Sequence, residues 1–163
     1  MRTADCQTSC PGFDCVIRLG YLTDSSLVAR RIAVMRGSLV ASPDYVRDHG
    51  EPQAPEELLA HEALMQGTEG WRFLAGDKML TIHPRGRFKA DNGTALAAAA
   101  LAGLGIAALP DFLVADHLAS GALVRVMTKY PAPDAGLYVV RPPAANPARK
   151  ISVLTELLIE RFG

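Results

Sequence analysis

Three cysteines near the start of the chain are the first candidates for chemistry: Cys6, Cys10 and Cys15. Their odd number, with no later cysteine, gives no disulfide framework. The spacings C-x3-C and C-x4-C differ from those of a zinc knuckle, and His49, the nearest histidine, follows several predicted elements. We therefore predict no metal site here. The thiols are free in a loose leader, or the thiol of Cys15 is buried.

Motifs typical of catalysis are missing from the sequence, which contains no G-x-S-x-G, P-loop or H-E-x-x-H pattern. His61 and Glu62 begin the last pattern, but Met65 stands where its second histidine belongs. Residues 103–108 match G-x-G-x-x-A, yet they leave a predicted helix and enter a strand, the reverse of a dinucleotide-binding turn. We interpret them as a helix C-cap. The four histidines lie in separate predicted elements or turns, so we predict no enzyme and no cofactor.

Charge and composition exclude further classes of function. Lys+Arg and Asp+Glu number 17 each, which argues against a phosphate-facing basic surface for nucleic acid. The alternating residues Arg85, Arg87 and Lys89 fit a solvated strand face better. No apolar run reaches membrane-spanning length, and residues 1–12 show no secretory signal, so we expect a cytoplasmic protein without a membrane partner. The 163 residues suit one domain or two small lobes, with Trp71 expected in a core.

Apolar patterns then place the elements. We predict a polar tail over residues 1–12, an inner strand of a parallel sheet over 13–19, and an extended segment over 27–35. Ser42, Pro43 and Gly50 indicate a helix over 43–49. Asn92 caps the strongest helix, over 92–104, and Asp111 caps another that runs to residue 120. Further helices are predicted over 55–61 and after Asn146-Pro147, and strands over 38–41, 63–66, 71–74, 79–83, 87–90, 106–109, 123–127 and 137–140. This alternation predicts an α/β fold with an antiparallel-leaning centre.

A series of short motifs in this order resembles the effector-binding domain of LysR-type transcriptional regulators. The resemblance covers residues 13–162 and is specific through the order and spacing of motifs that are each weak alone. The motifs are D-x-x-I-R-x-G at 14–20, D-S-S-L-V-A-R-R at 24–31, A-S-P-x-Y at 41–45, H-G-x-P at 49–52, W-x-F at 71–73, N-G-x-A-L at 92–96, A-G-L-G-I-A-x-L-P at 102–110, G-x-L-V at 121–124 and E-R-F at 160–162.

The resemblance implies a two-lobed effector domain of the periplasmic-binding-protein type II kind. Lobe I would comprise residues 13–35 and 125–163, and lobe II residues 36–124. A small-molecule inducer would lie between the lobes, held by hydroxyls, backbone amides and a helix N-terminus. Full-length members would form homo-oligomers through lobe faces.

Two groups of residues are candidates for ligand binding. Asn92, Gly93 and Thr94 begin the Ala/Leu helix, whose unpaired N–H groups and positive dipole end suit an anion or a carbonyl. Asn92 has the alternative role of a simple cap. The other group follows a strand end, where open α/β sheets place ligands, although its members are equally suited to a turn; it comprises Gly20, Tyr21, Ser25 and Ser26.

The sequence also departs from the family. No winged helix-turn-helix and no first βαβ unit precede residue 13, so we expect an incomplete first lobe, a disordered non-family leader over 1–12, and no direct binding of nucleic acid by this chain. The helix that family dimers place opposite the Ala/Leu helix would be missing, which weakens the case for dimers of this chain. We also expect apolar surface and unpaired backbone groups beside residues 15–19. A stand-alone small-solute-binding protein of the same fold is the alternative function.

Overall fold

The computed structural model describes residues 13–22, 26–67, 70–143 and 148–163. It divides into two compact units, one from the described parts of Met1–Met35 and Asp134–Gly163, the other being Arg36–Pro133. The elements in chain order are β1 Val16–Gly20, β2 Val28–Met35, β3 Gly37–Ala41, α1 Pro43–His49, a 3-10 helix Pro55–Ala60, β4 Ala63–Leu64, β5 Trp71–Ala75, β6 Lys78–Ile82, α2 Gly93–Leu101, β7 Ile106–Pro110, α3 Asp111–Ala119, β8 Val124–Val126, β9 Ala135–Arg141 and α4 Arg149–Phe162.

The first unit is a three-stranded antiparallel sheet in the order β1-β9-β2, with α4 packed on one face. Its buried cluster comprises Ile32, Ala33, Val139 and Ile151, with Cys15 half-buried against it. The predicted start of α4 at Asn146-Pro147, the leader over 1–12, Cys6 and Cys10 lie outside the described residues.

The prediction that residues 13–19 form an inner strand of a parallel sheet is wrong. β1 pairs antiparallel with β9, and no described strand pairs with its other edge. Its continuous apolar run suggested burial on both faces, but Val16, Ile17 and Leu19 all remain exposed. The expected apolar surface beside this strand is therefore present.

The second unit contains a four-stranded mixed sheet in the order β4-β7-β3-β8 and a separate β5-β6 hairpin. Among the described strand pairs of this unit, β4-β7 is parallel and the others are antiparallel, so the antiparallel-leaning centre is confirmed. The predicted strand over 87–90 is wrong, because only a single bridge joins Lys89 to Met65. The Met65 N–H donates to the Phe88 carbonyl and the Ala90 N–H donates to the Met65 carbonyl, but β4 ends at Leu64, so the pairing does not extend into a ladder. Residues 55–60 form the tighter 3-10 helix rather than an α-helix.

Helix α2 is packed closely because its side chains are small. Its buried residues are Leu96, Ala97, Ala99 and Ala100, and it contacts β7, α3, β3 and β4. Gly103 follows its C-cap with φ +76°, a left-handed conformation that favours glycine. A Cβ at Gly105 would lie 2.3 Å from the carbonyl oxygen of Glu62, so only glycine allows β7 to enter beside β4. The G-x-G-x-x-A match thus lies between a helix and a strand, as predicted.

Helix α3 begins differently from the prediction. Its N-cap is Pro110, and Asp111 is its first residue rather than its cap. The Asp111 carboxylate accepts a hydrogen bond from Ser38 Oγ, a partner in another element. We expected the second unit to end at residue 124, whereas the compact unit extends to Pro133, since β8 pairs with β3. Among the described residues, no helix is long and apolar enough to cross a membrane.

Candidate functional site

The start of α2 has the geometry of a capped helix. The Asn92 side-chain oxygen accepts a hydrogen bond from the Thr94 N–H at 2.8 Å. Asn92 and Thr94 are exposed, and no acidic residue lies in the first turn to neutralise the positive end of the helix. The capping role of Asn92 is therefore present, and a ligand-binding role for this turn stays a prediction.

The position of α2 in its unit follows from packing at Gly93. A Cβ there would lie 2.7 Å from Leu113 Cδ2, so the absent side chain lets α2 start against the first turn of α3. Helix α3 follows Pro110, which pairs with Gly37 at the beginning of β3. The candidate turn therefore lies at the end of the second unit where the chain enters from Met35.

The candidates in the first unit are spread over both ends of its sheet. Gly20 ends β1 with φ +140° and pairs with Gly136, at the end where β2 finishes with Val34 and Met35. Tyr21 follows and is half-buried, whereas Ser25 lies outside the described residues. Ser26 is exposed and precedes Val28, which pairs with Arg141 at the opposite end of β9. The five steps from Gly136 to Arg141 along β9 correspond to roughly 17 Å. The structure thus does not bring Ser26 beside Gly20.

A polar network that the sequence did not reveal lies at the entry end of the second unit. Ser38 Oγ donates to Asp111 Oδ1 at 2.6 Å, and Arg125 Nε donates to Ser38 Oγ at 3.1 Å. Arg125 Nη2 is 3.7 Å from Asp111 Oδ2. An adjoining cavity of about 190 Å³ includes Gly37, Ser38, Arg125, Thr128 and Tyr130 in its lining. Ser38 is 73 positions from Asp111 and 87 positions from Arg125 in the sequence. Local sequence patterns therefore could not have predicted this network.

A second unforeseen cluster surrounds the buried Tyr45. Its hydroxyl oxygen accepts from the Glu62 N–H at 3.1 Å and lies 3.1 Å from His61 Nδ1. The His49 ring stacks on the Tyr45 ring with centroids 4.3 Å apart. Two of the four histidines, which the sequence analysis treated as scattered, therefore meet at one tyrosine.

The ionisation of this cluster is shifted by its surroundings. Burial, followed by the charge of His49, lowers the pKa of His61, and Glu57 opposes this effect. Burial raises the pKa of Tyr45, as does the carboxylate charge of Glu62, while the hydrogen bond from the Glu62 backbone lowers it. Both side chains therefore favour their neutral forms. This is the pattern of a structural clamp between α1 and the segment leading to β4.

Metal chemistry has no candidate in the described part of the chain, where no three His, Cys, Asp or Glu side chains come together as a possible metal site. The prediction for the cysteine segment remains open, because Cys6 and Cys10 lie outside the described residues. The second unit instead offers the first-turn N–H groups of α2, the hydroxyl of Ser38 and the guanidinium of Arg125. Groups of these kinds bind polar small molecules.

Comparisons with known proteins agree with this architecture. The family described as "LysR substrate binding domain" matches residues 11–163. The chain is 38% identical over 121 residues to the HTH-type transcriptional regulator CrgA of Neisseria meningitidis, covering 71% of this chain and 40% of CrgA. It is 32% identical over 135 residues to an uncharacterized HTH-type transcriptional regulator of Haemophilus influenzae, covering 80% of this chain and 47% of that protein.

Solved structures give the same picture. The regulatory domain of CrgA, a LysR-type transcriptional regulator from Neisseria meningitidis, is similar with a TM-score of 0.72 and 31% identity, covering 92% of this chain and 76% of that one. The regulatory domain of AphB from Vibrio vulnificus gives 0.73 and 29%, covering 91% and 75%. The chain spans about half the length of the curated relatives it matches or somewhat less.

Proposed function

This chain belongs to the LysR substrate-binding-domain family, and from that premise we propose that it senses a small-molecule inducer for a transcription regulator. The family match over residues 11–163 is the observation that carries the proposal. It places the chain among regulators of transcription, not among enzymes. The expectation that the ligand lies between two lobes comes from the family resemblance and stays a prediction.

The position of the candidate residues within each unit supports the proposal. Gly20 and Tyr21 lie at the end of the first sheet where the chain leaves at Met35, and Asn92–Thr94 lie at the end of the second unit where the chain enters. Both groups thus lie near the chain connections of their own units. We assign the Thr94 hydroxyl and the first-turn N–H groups of α2 to an anionic or carbonyl oxygen of the ligand. Ser26 has weaker support, because it lies at the far end of its sheet, and Ser25 has no structural support.

The cavity beside Arg125 adds a possible anchoring group to this assignment. Arg125 lines the cavity while paired with Asp111 and hydrogen-bonded to Ser38. A carboxylate ligand would compete with Asp111 for the guanidinium, which binds carboxylates in a bidentate manner. We therefore propose small carboxylic acids as the first ligands to test.

The test is a thermal-shift screen of this chain with a panel of small aliphatic and aromatic carboxylic acids. An acid present at 100 times its Kd should stabilise the protein by about 2.7 kcal/mol. Thr94→Val and Arg125→Gln should each weaken binding of that acid. Ser120→Ala is the matched control, because Ser120 lies at the other end of α3 and donates to its own helix. Equal binding by all four proteins would overturn the assignment of these residues.

We further propose that specific recognition of DNA is not performed by this chain. The balance of 17 basic and 17 acidic residues supports this, because a phosphate-facing surface needs an excess of positive charge. Fluorescence anisotropy with duplex DNA at several salt concentrations should show no sequence-specific binding. Tight binding to one sequence at physiological salt would contradict the proposal.

A further inference from the structure

A small cavity in the first unit lies between the sheet and the beginning of α4. Its volume is about 120 Å³. It is lined by Val28, Arg30, Val139, Arg141, Ile151, Ser152 and Thr155. The lining therefore contains two guanidinium groups and two hydroxyls, but no carboxylate.

The strand register explains why both arginines belong to this cavity. Arg30 on β2 pairs with Val139 on β9, and Arg141 is two residues further along β9. Because side chains alternate along a strand, Arg30, Val139 and Arg141 share one face. Val139 is buried with Ile151 of α4, so this face is the one covered by the helix. Such diagonal neighbours lie roughly 7–8 Å apart, a spacing that lets two guanidinium groups reach one small anion.

The polar groups of the lining are only partly used by the protein. Thr155 Oγ1 donates to the Ile151 carbonyl at 2.7 Å, and Arg141 Nη1 donates to the Pro142 carbonyl at 3.0 Å. Within the described ranges, the ion pairs of the chain include neither Arg30 nor Arg141. Ser152 places a further hydroxyl on the lining.

The described residues that line the cavity include two arginines and no acidic residue. Helix α4 begins with Arg149 and Lys150, and its first turn contains no acidic residue. Lys150 is paired with Asp14, but the arginines of the lining add two further charges. Like charges near the positive end of a helix repel one another and the helix dipole. A bound anion would offset this repulsion between the positive charges.

We propose that this cavity binds a small oxyanion of the phosphate type, held between Arg30 and Arg141 with a hydrogen bond from Ser152. Its volume equals about four times the ~30 Å³ that a water molecule occupies in the liquid, which accommodates such an ion. Guanidinium groups match the oxygens of phosphate in bidentate geometry. The site lies wholly within the first unit and contains none of the inducer-binding candidates, although Ser26 lies two residues before Val28 of its lining. The anion proposal does not depend on a binding role for Gly20, Tyr21 or Asn92–Thr94.

The test is isothermal titration of the chain with inorganic phosphate, with potassium chloride added to keep the ionic strength constant. The wild-type chain should bind about one equivalent saturably. Arg30→Gln and Arg141→Gln should each weaken binding at least tenfold, and Ser152→Ala less. The matched control is Arg31→Gln, because Arg31 pairs with Tyr138 and its side chain therefore belongs to the opposite face. This control should bind phosphate as the wild type does.

A second measurement separates loss of the site from loss of the fold. Circular dichroism should show the same helix content for all four variants, since the substituted side chains lie on the rim of the unit rather than in its buried cluster. NMR of the arginine side-chain Nε–Hε groups should show phosphate-dependent shifts of Arg30 and Arg141 but not of Arg31. Phosphate that binds no better than chloride, or equal weakening by Arg31→Gln, would overturn the proposal.

Discussion

The two units of this protein differ in how much of their apolar surface is buried. Among the described residues, the second unit has two buried clusters, one of ten residues and one of eight. The first unit has a single cluster of four. Its sheet receives one helix on one face, while β1 leaves Val16, Ile17 and Leu19 exposed. Since burial of apolar area is the main stabilising term in folding, the stability of the chain is concentrated in the second unit.

This difference in buried apolar surface predicts that the two units differ in their stability when each is considered alone. The second unit has its own core, and the packing of that core should be sufficient for it to fold. In the first unit, no described strand pairs with the outer edge of β1, and an unpaired edge favours pairing with another strand. The following experiments test this contrast, from the largest expected effect to the smallest.

The largest effect is expected from Phe73→Ala in the second unit. Phe73 is fully buried in the cluster that contains Tyr45, Ile106 and Val126. Its truncation should reduce the free energy of unfolding by about 3–5 kcal/mol. Fluorescence of Trp71, the only tryptophan and a neighbour on the same strand, follows urea denaturation of this unit. Leu59→Ala is the control, since Leu59 is exposed; equal effects would contradict the assigned core.

A smaller but more revealing effect is expected from Ile151→Ala in the first unit. Ile151 joins α4 to the sheet and belongs to the four-residue cluster. Its loss should cost about 2–4 kcal/mol, comparable with the total stability available to so small a core. Far-UV circular dichroism should lose helical signal while the Trp71 transition stays in place. A matching shift of the Trp71 transition would show that both units unfold together.

The Tyr45 cluster predicts a pH dependence confined to the second unit. The folded state lowers the pKa of His61 below its unfolded value of about 6.5. The unfolded chain therefore takes up the proton first as the pH falls, so stability is complete above that value and is lost as the pH decreases toward the folded pKa. The urea midpoint followed by Trp71 should be lower at mildly acidic pH than at pH about 7.5.

His61→Gln should flatten this dependence, because glutamine does not titrate. The control is His83→Gln, a substitution at an exposed histidine of the same unit. A pH profile that His61→Gln leaves unchanged would assign the effect to other groups.

The smallest change in stability, but a clear change in association, is expected from Ile17→Lys. Ile17 is 50% exposed on β1, whose outer edge pairs with none of the strands that the structure describes. A charged residue there should alter stability by no more than about 0.5 kcal/mol, while opposing strand-to-strand association. Light scattering should show fewer aggregates than in the wild type. Leu104→Lys, at an exposed position outside the strands of the second unit, is the control. A wild-type chain that is monodisperse and melts sharply would contradict the premise.

Local signals in the sequence were sufficient for much of the fold. Ser42, Pro43 and Gly50 predicted α1 with its bounds over 43–49, because each residue acts within one helical turn. Asn92 predicted the capped start of α2 for the same reason. Pairing was not accessible in this way: β1 and its partner β9 are separated by more than a hundred residues, and an apolar run carries no information on strand direction.

The candidate site was predictable to a similar extent. The first turn of α2 could be found from its cap and its Ala/Leu run. The Ser38–Asp111–Arg125 network could not, because it depends on β3, α3 and β8 meeting in space. The same holds for His61 and Tyr45, whose contact is set by how the 3-10 helix returns the chain to α1. Ser26 shows the opposite error, since closeness in sequence to Gly20 did not mean closeness in space.

The small buried side chains of α2 set how closely this helix packs against its neighbours β7, α3, β3 and β4. Ala97 and Ala100 are buried, and Gly93 packs against Leu113 of α3 at the start of the helix. A larger side chain at Ala97 or Ala100 should displace α2 from its neighbours and move the N-terminus of the helix with it. For the ligand site proposed at the start of α2, substitutions at these buried positions should therefore change ligand affinity without contacting the ligand.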